Sequence, residues 1–247
     1  MTDRAQPTSP QTYARTAGVL YLIIIVFGIG AEVFIRGSLI VAGDAATTAA
    51  NVAGSRSLFR LGFFADSVVF LCDVALAVLL YVLLKPVSNT LAIAAAAFRL
   101  TQTAVISLNL LTYYSALLIV NGPAYAAAFD PAQIEALAML ALDQHAHGYD
   151  LGLLFFGASC LIVGYLIVRS GYLPKWLGWL VALAGVVYIV GTYTLFLAPE
   201  FAGAVEPAYL IPLVAELAFC LWLLIMGVNV DRWRERAAVA MEQPRLA

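Results

Sequence analysis

Six stretches of the chain are long and apolar enough to cross a bilayer, at residues 16–36, 58–84, 90–120, 148–169, 176–197 and 209–229. A span needs about 20 mostly apolar residues, because hydrocarbon offers no partner to an open backbone group. Two of the polar breaks are short turns, Lys85-Pro86-Val87-Ser88-Asn89 and Arg169-Ser170-Gly171-Tyr172-Leu173-Pro174-Lys175. In the second, Gly171 suits a helix C-cap and Pro174 a helix start. The longer breaks carry helix-start signals of their own, Asp44 before an Ala/Thr-rich run and Asp130-Pro131. From Pro131 the apolar positions Ile134, Leu137, Ala138 and Ala141 lie on one side. They predict a surface helix or a direct run into the fourth span. The pattern as a whole predicts an all-α fold, a polytopic membrane helix bundle with six transmembrane helices. Its expected parts are a disordered cytoplasmic leader (1–14), the membrane domain (15–230) and a cytoplasmic basic tail (231–247).

Lys and Arg orient the bundle. Nine of them (Arg4, Arg15, Lys85, Arg169, Lys175, Arg232, Arg234, Arg236 and Arg245) fall at the termini and in the second and fourth connections. Only Arg36, Arg56 and Arg60 fall on the other side, all around the first connection. Both termini are therefore expected in the cytoplasm. The apolar run after the leader is too long for a cleaved signal peptide.

Composition agrees with a lipid environment. Hydrophobic residues make up 63% of the chain and charged ones 11%, against about 25% charged in a soluble domain. A net charge of −2 excludes a nucleic-acid binder, which needs a clustered basic face. Cys72, Cys160 and Cys220 lie inside apolar runs and make no disulfide framework.

Polar residues inside the spans are the candidates for function, because each is costly in hydrocarbon and must face the protein interior. Counting from the basic residues that end each span puts Asp66 and Asp150 about 28 Å up, and Glu32 and Glu216 about 24–26 Å up. These four acids are expected to form one layer near the outer edge, with His145 and His147 at its rim. Such a layer needs a proton or a cation; Arg60, Arg36, a histidinium and a bound metal are the candidates, and Arg60, six residues before Asp66, is the best placed. Deeper, Asp73 and Arg99 lie at about 18 and 15 Å on helices joined by a tight turn. They are expected to form a buried ion pair. Arg99, Gln102, Ile106, Asn109 and Tyr113 share a face of the third span and turn a mostly polar stripe inward. A shift of 84 residues lays Asp66 on Asp150, Tyr81 on Tyr165 and Lys85 on Arg169, the kind of internal repeat transporters use.

The run His145-Ala146-His147-Gly148-Tyr149-Asp150-Leu151-Gly152, with Gly164 to Gly178 after it, Ala17-Gly18-Val19-Leu20-Tyr21-Leu22 and Leu58-Phe59-Arg60-Leu61-Gly62, resembles the bacterial membrane family called domain of unknown function 4386. The resemblance covers about residues 14–229. It implies a six-helix protein of the bacterial inner (plasma) membrane, brings no catalytic residues with it, and favours His145 over His147.

Three functions compete. The first is binding or transport of a small polar or amphipathic molecule through an outward-facing polar cavity, with Glu32, Asp66, Asp150, Glu216, His145 and Asn109 as binding or ion-coupling candidates. Six helices are few for a carrier, so a homodimer is expected with it. The second is a non-catalytic sensor or assembly subunit in which every charge is structural. The third is a metal-assisted intramembrane hydrolase, for which His145, His147 and Asp150 supply zinc-ligand types. No HExxH or GxSxG motif accompanies them. No cofactor is expected under the first two readings, and the lipid bilayer is the partner under all three.

Overall fold

The computed structural model describes residues 9–242. Most of the expected leader, including Arg4, and the end of the tail, including Arg245, lie outside the described residues. Within them the chain is all-helical and has six helices long and apolar enough to cross a membrane.

The first span, α1, runs Pro10–Leu39. It starts six residues before the expected position because Ser9 receives the Gln11 amide on its hydroxyl (3.3 Å) and the Thr12 amide on its carbonyl (2.9 Å). Proline at the first helical position is already set for the helix. Its last part contains a π-helical turn, Ala31–Arg36. The short α2 (Ala45–Gly54) is capped by Asp44, whose carboxylate accepts from the Thr47 amide at 2.9 Å and from the Thr47 hydroxyl at 2.7 Å. The hydroxyl and the backbone bonds hold the Asp44 carboxyl below the usual carboxylate range.

Then follow α3 (Arg56–Leu84), α4 (Asn89–Asn121), the single turn and a half of α5 (Pro123–Ala128) and α6 (Pro131–Ser170). The helix started by Asp130-Pro131 thus runs without a break into the fourth span. The fifth span is α7 (Lys175–Leu197), after which short turns from Pro199 lead into α8 (Leu210–Ile225). That helix stops at a turn in which Gly227 takes φ +68°, a conformation that favours glycine. The amphipathic α9, Val230–Glu242, follows.

The chain divides into two compact units. Among the described residues one comprises 9–22, Asp73–Leu100 and 153–242; the other comprises Ile23–Cys72 and Thr101–Gly152. The first, here the terminal unit, takes segments of all six spans. The second, the loop unit, takes segments of the first four spans together with α2 and α5.

Both units bury apolar side chains inside and turn others outward. Tyr21, Leu76, Leu83, Leu166, Leu177, Phe219 and Leu223 are buried in the terminal unit. In the loop unit Ile35, Val52, Phe59, Ile106, Leu110, Tyr113 and Leu142 form one cluster. On the outside, Leu71, Leu108, Leu111, Leu197 and Ile225 are each at least 62% exposed. So much apolar surface turned outward is stable only where the solvent is hydrocarbon.

Close helix contacts in the terminal unit rest on glycine. A Cβ on Gly178 would stand 2.6 Å from the Gly164 carbonyl oxygen, and one on Gly185 2.6 Å from that of Gly157. With no hydrophobic drive between helices in lipid, such backbone approach is the main source of packing energy. We expect Gly178→Leu to destabilise the protein by about 1–3 kcal/mol through overpacking. Gly28→Ala, where nothing lies within 4 Å, should be neutral to about 1 kcal/mol stabilising. Thermal unfolding in one detergent compares the two; equal midpoints would show that the α6–α7 approach carries no stability.

Candidate functional site

Two polar clusters are buried, one in each unit. In the terminal unit the Arg99 guanidinium donates to Asp73 Oδ1 from Nε, at 2.9 Å, and from Nη2. Both side chains are about 5% exposed. The guanidinium lies over the Phe156 ring at 4.9 Å and over the Tyr21 ring at 5.4 Å, so two aromatic faces cover the charge that the carboxylate does not reach. Tyr21 also donates its hydroxyl to Glu216 Oε2 at 3.2 Å, and Tyr188 donates to Glu216 Oε1. Tyr21, Asp73, Arg99, Phe156, Tyr188 and Glu216 come from six different spans. Each span thus places one residue in a single connected cluster.

Glu216 therefore belongs to this cluster, at a depth other than the one counted for it from the sequence. The expected depth was counted from Arg232, but the span ends at Ile225 and Arg232 belongs to α9. Measured from the true helix end, Glu216 is about 14 Å in, roughly half the expected depth. The aromatic members Tyr21, Phe156 and Tyr188 escape a search for charges, since each lies in an apolar run.

In the loop unit the guanidinium is that of Arg36. Its Nη1 and Nη2 meet Asp66 Oδ2 and Oδ1 at 2.9 and 3.4 Å, while Nε donates to Glu32 Oε2 at 2.6 Å. Arg36, not Arg60, is thus the cation of this cluster. Six residues turn a helix by about 240°, which takes Arg60 to a different face from Asp66, and it is exposed. The burial is graded: Asp66 and Arg36 are 7% and 10% exposed at the side chain, but Glu32 is 69% exposed. Glu32 and Arg36 both lie in the π-helical turn. Such turns are uncommon and occur often at functional sites.

Behind the pair, Arg36 lies 5.8 Å from the Tyr113 ring, which stacks on Phe59 at 4.0 Å and tilts against His145 at 5.2 Å. Asn109 Nδ2 donates to the His145 carbonyl at 2.7 Å, and His145 Nδ1 lies 3.2 Å from the Asn109 carbonyl oxygen. The distinctive glycines permit this: a Cβ on Gly148 would collide with the Asn109 carboxamide, and one on Gly152 with Ile106. The run from His145 to Gly152 is thus first a device for bringing α6 against α4.

His145 and His147 do not act together. Two residues apart on a helix they face different sides, and His147 Nδ1 leans on the Asp143 carbonyl at 2.8 Å. Asp150 is half-buried near His147, an environment unlike that of Asp66 although the 84-residue shift aligns them. Among the described residues no three His, Cys, Asp or Glu side chains gather in a set that could hold a metal ion. The arrangement of His145, His147 and Asp150 gives no support to zinc.

Removing either Asp73 or Arg99 alone should leave an uncompensated charge and cost about 3–5 kcal/mol, and removing both should cost less. Additive losses for Asp73→Asn and Arg99→Gln in a thermal-stability cycle would show that the two are uncoupled. Arg36→Gln should lower the unfolding midpoint clearly, whereas Arg60→Gln should stay within about 0.5 kcal/mol of the parent.

No solved structure matches the chain. An uncharacterized protein of Archaeoglobus fulgidus is 28% identical over 165 residues, covering 64% of this chain and 79% of the relative. The family model described as Domain of unknown function (DUF4386) matches residues 16–227, a stretch that takes in all the residues of both clusters. The chain belongs to that family.

Proposed function

We propose that the protein sits in the bacterial inner (plasma) membrane with both termini in the cytoplasm. There it binds, or carries across, a small polar or amphipathic molecule bearing a positive charge. The site is the Glu32–Arg36–Asp66 cluster, approached from the non-cytoplasmic side. The observation that carries this reading is the exposed Glu32 carboxylate beside a buried Arg36–Asp66 pair.

Two acids share one guanidinium there, so the cluster has a surplus negative charge on its accessible edge. An ammonium or similar cation neutralises it without breaking the pair beneath. The bias of Lys and Arg toward the terminal side supports the orientation. Glu216, held by two tyrosines beside the Arg99 pair, is the coupling candidate in a carrier. Six spans are few for one, so a homodimer belongs to the same reading.

The alternative is a non-catalytic sensor or assembly subunit. It is favoured by the completeness of the internal bonding: among the described residues no buried side-chain nitrogen or oxygen lacks a partner. A polar site waiting for a ligand usually leaves some atom unsatisfied.

Thermal unfolding of purified protein against a panel of small amines and carboxylates separates the readings. We expect amines, and not acids, to raise the midpoint, and Glu32→Gln to abolish the rise without lowering the basal midpoint. Stabilisation by acids alone, or by neither class, would overturn the cation site. A reporter fused after Ala247 should read cytoplasmic and one inserted near Gly122 external; the reverse would overturn the direction of entry.

A further inference from the structure

A groove of about 370 Å³ opens where three spans end, lined among others by Tyr172, Pro174, Trp222, Met226, Asn229 and Arg232. We propose that this groove, together with the adjoining face of α9, binds the phosphate headgroup of an anionic phospholipid. Position is the first argument. The groove lies at the termini of α6, α7 and α8, at Ser170, Lys175 and Ile225. Helix ends of this kind mark the level at which hydrocarbon gives way to headgroups.

The aromatic residues fit that level. Trp176 and Trp222 meet edge to face at 6.0 Å, and Trp176 and Trp179 are 53% and 66% exposed, as in an interfacial belt. The groove is built rather than incidental. Gly171 takes φ +77° in its turn, and Arg232 Nη1 donates to the Gly171 carbonyl at 3.1 Å. The Asn229 amide donates to the Tyr172 carbonyl at 3.1 Å. Arg232 is thereby held at the groove's edge while remaining exposed, with Lys175 and Arg169 exposed at the neighbouring helix ends.

The charge pattern of α9 completes the case. At about 100° per residue, Val230, Trp233, Ala237, Ala240 and Met241 fall on one arc. Arg234 and Arg236 flank that arc, and Asp231 and Glu235 fall opposite. Trp233 pins the helix by donating to the Leu83 carbonyl at 2.9 Å, while Met241, on the apolar arc, stays 69% exposed. A helix with an apolar face, arginines at its borders and acids turned away lies along an anionic surface. The site is independent of the cation site proposed above.

Native mass spectrometry of the full chain, released from detergent with phosphatidylglycerol or phosphatidylcholine of matched acyl chains, tests the proposal. Phosphatidylglycerol adducts should dominate. Arg232→Gln with Arg236→Gln should cut that preference about fivefold per arginine and leave phosphatidylcholine adducts unchanged, and Arg232→Lys should retain it. If loss of the Gly171 bond unfolds the protein, Arg234→Gln with Arg236→Gln tests the border arginines alone, with the same expected loss. Equal binding of the two lipids by the parent, or an undiminished preference in the glutamine variants, would overturn the proposal. Competition by soluble glycerol phosphate would also overturn it, by making the groove a site for free phosphate.

Discussion

A guanidinium cannot stand alone in hydrocarbon, and that constraint organises the terminal unit around Arg99. Its charge is met on one edge by Asp73 and on two faces by Phe156 and Tyr21. Because the Tyr21 ring is fixed in this way, its hydroxyl is fixed too, and it reaches Glu216, which Tyr188 also holds. Six spans are thus registered by one ion and the groups that tolerate it. Apolar packing alone specifies helix register weakly in lipid, where the surroundings are as apolar as the helices. A buried pair of this kind adds little net stability but makes wrong registers costly.

The loop unit repeats the device with a different balance. Arg36 serves two carboxylates, one buried and one exposed, so its charge is spent partly on structure and partly at an accessible surface. Glu32 and Arg36, four residues apart, both lie in the π-helical turn near the end of the first span. Glycines then set the distance at which the polar groups meet, as Gly148 and Gly152 do for Asn109 and His145.

What could be read from the sequence was what depends on counting within a continuous helix or across a tight turn. Six apolar runs locate six spans. Asp73 and Arg99 stand at similar distances from the turn at 85–88, so counting brings them level. Counting fails where the chain is not what it was taken to be. Arg36 reads as the last residue of the first apolar run, but its helix continues to Leu39. Glu216 was measured from an arginine beyond the Gly227 turn, in a different helix. The aromatic partners of Arg99 were invisible for another reason: a tyrosine or phenylalanine in an apolar run carries no sign of which neighbour its face will cover. The role of Gly148 was hidden likewise, because the lack of a side chain becomes meaningful only once the opposing Asn109 is known.

The distribution of the Arg99 cluster along the chain has a consequence for biogenesis. Tyr21, Asp73 and Arg99 emerge from the ribosome early, Phe156 later, and Tyr188 and Glu216 last. A nascent chain can neutralise its arginine as soon as the second and third spans have paired as a hairpin. The Tyr21 hydroxyl, however, gains its carboxylate only when the final span arrives. Until then the cluster has a vacancy that the sixth span fills, so a helix made after the other five completes the set of partners around the arginine.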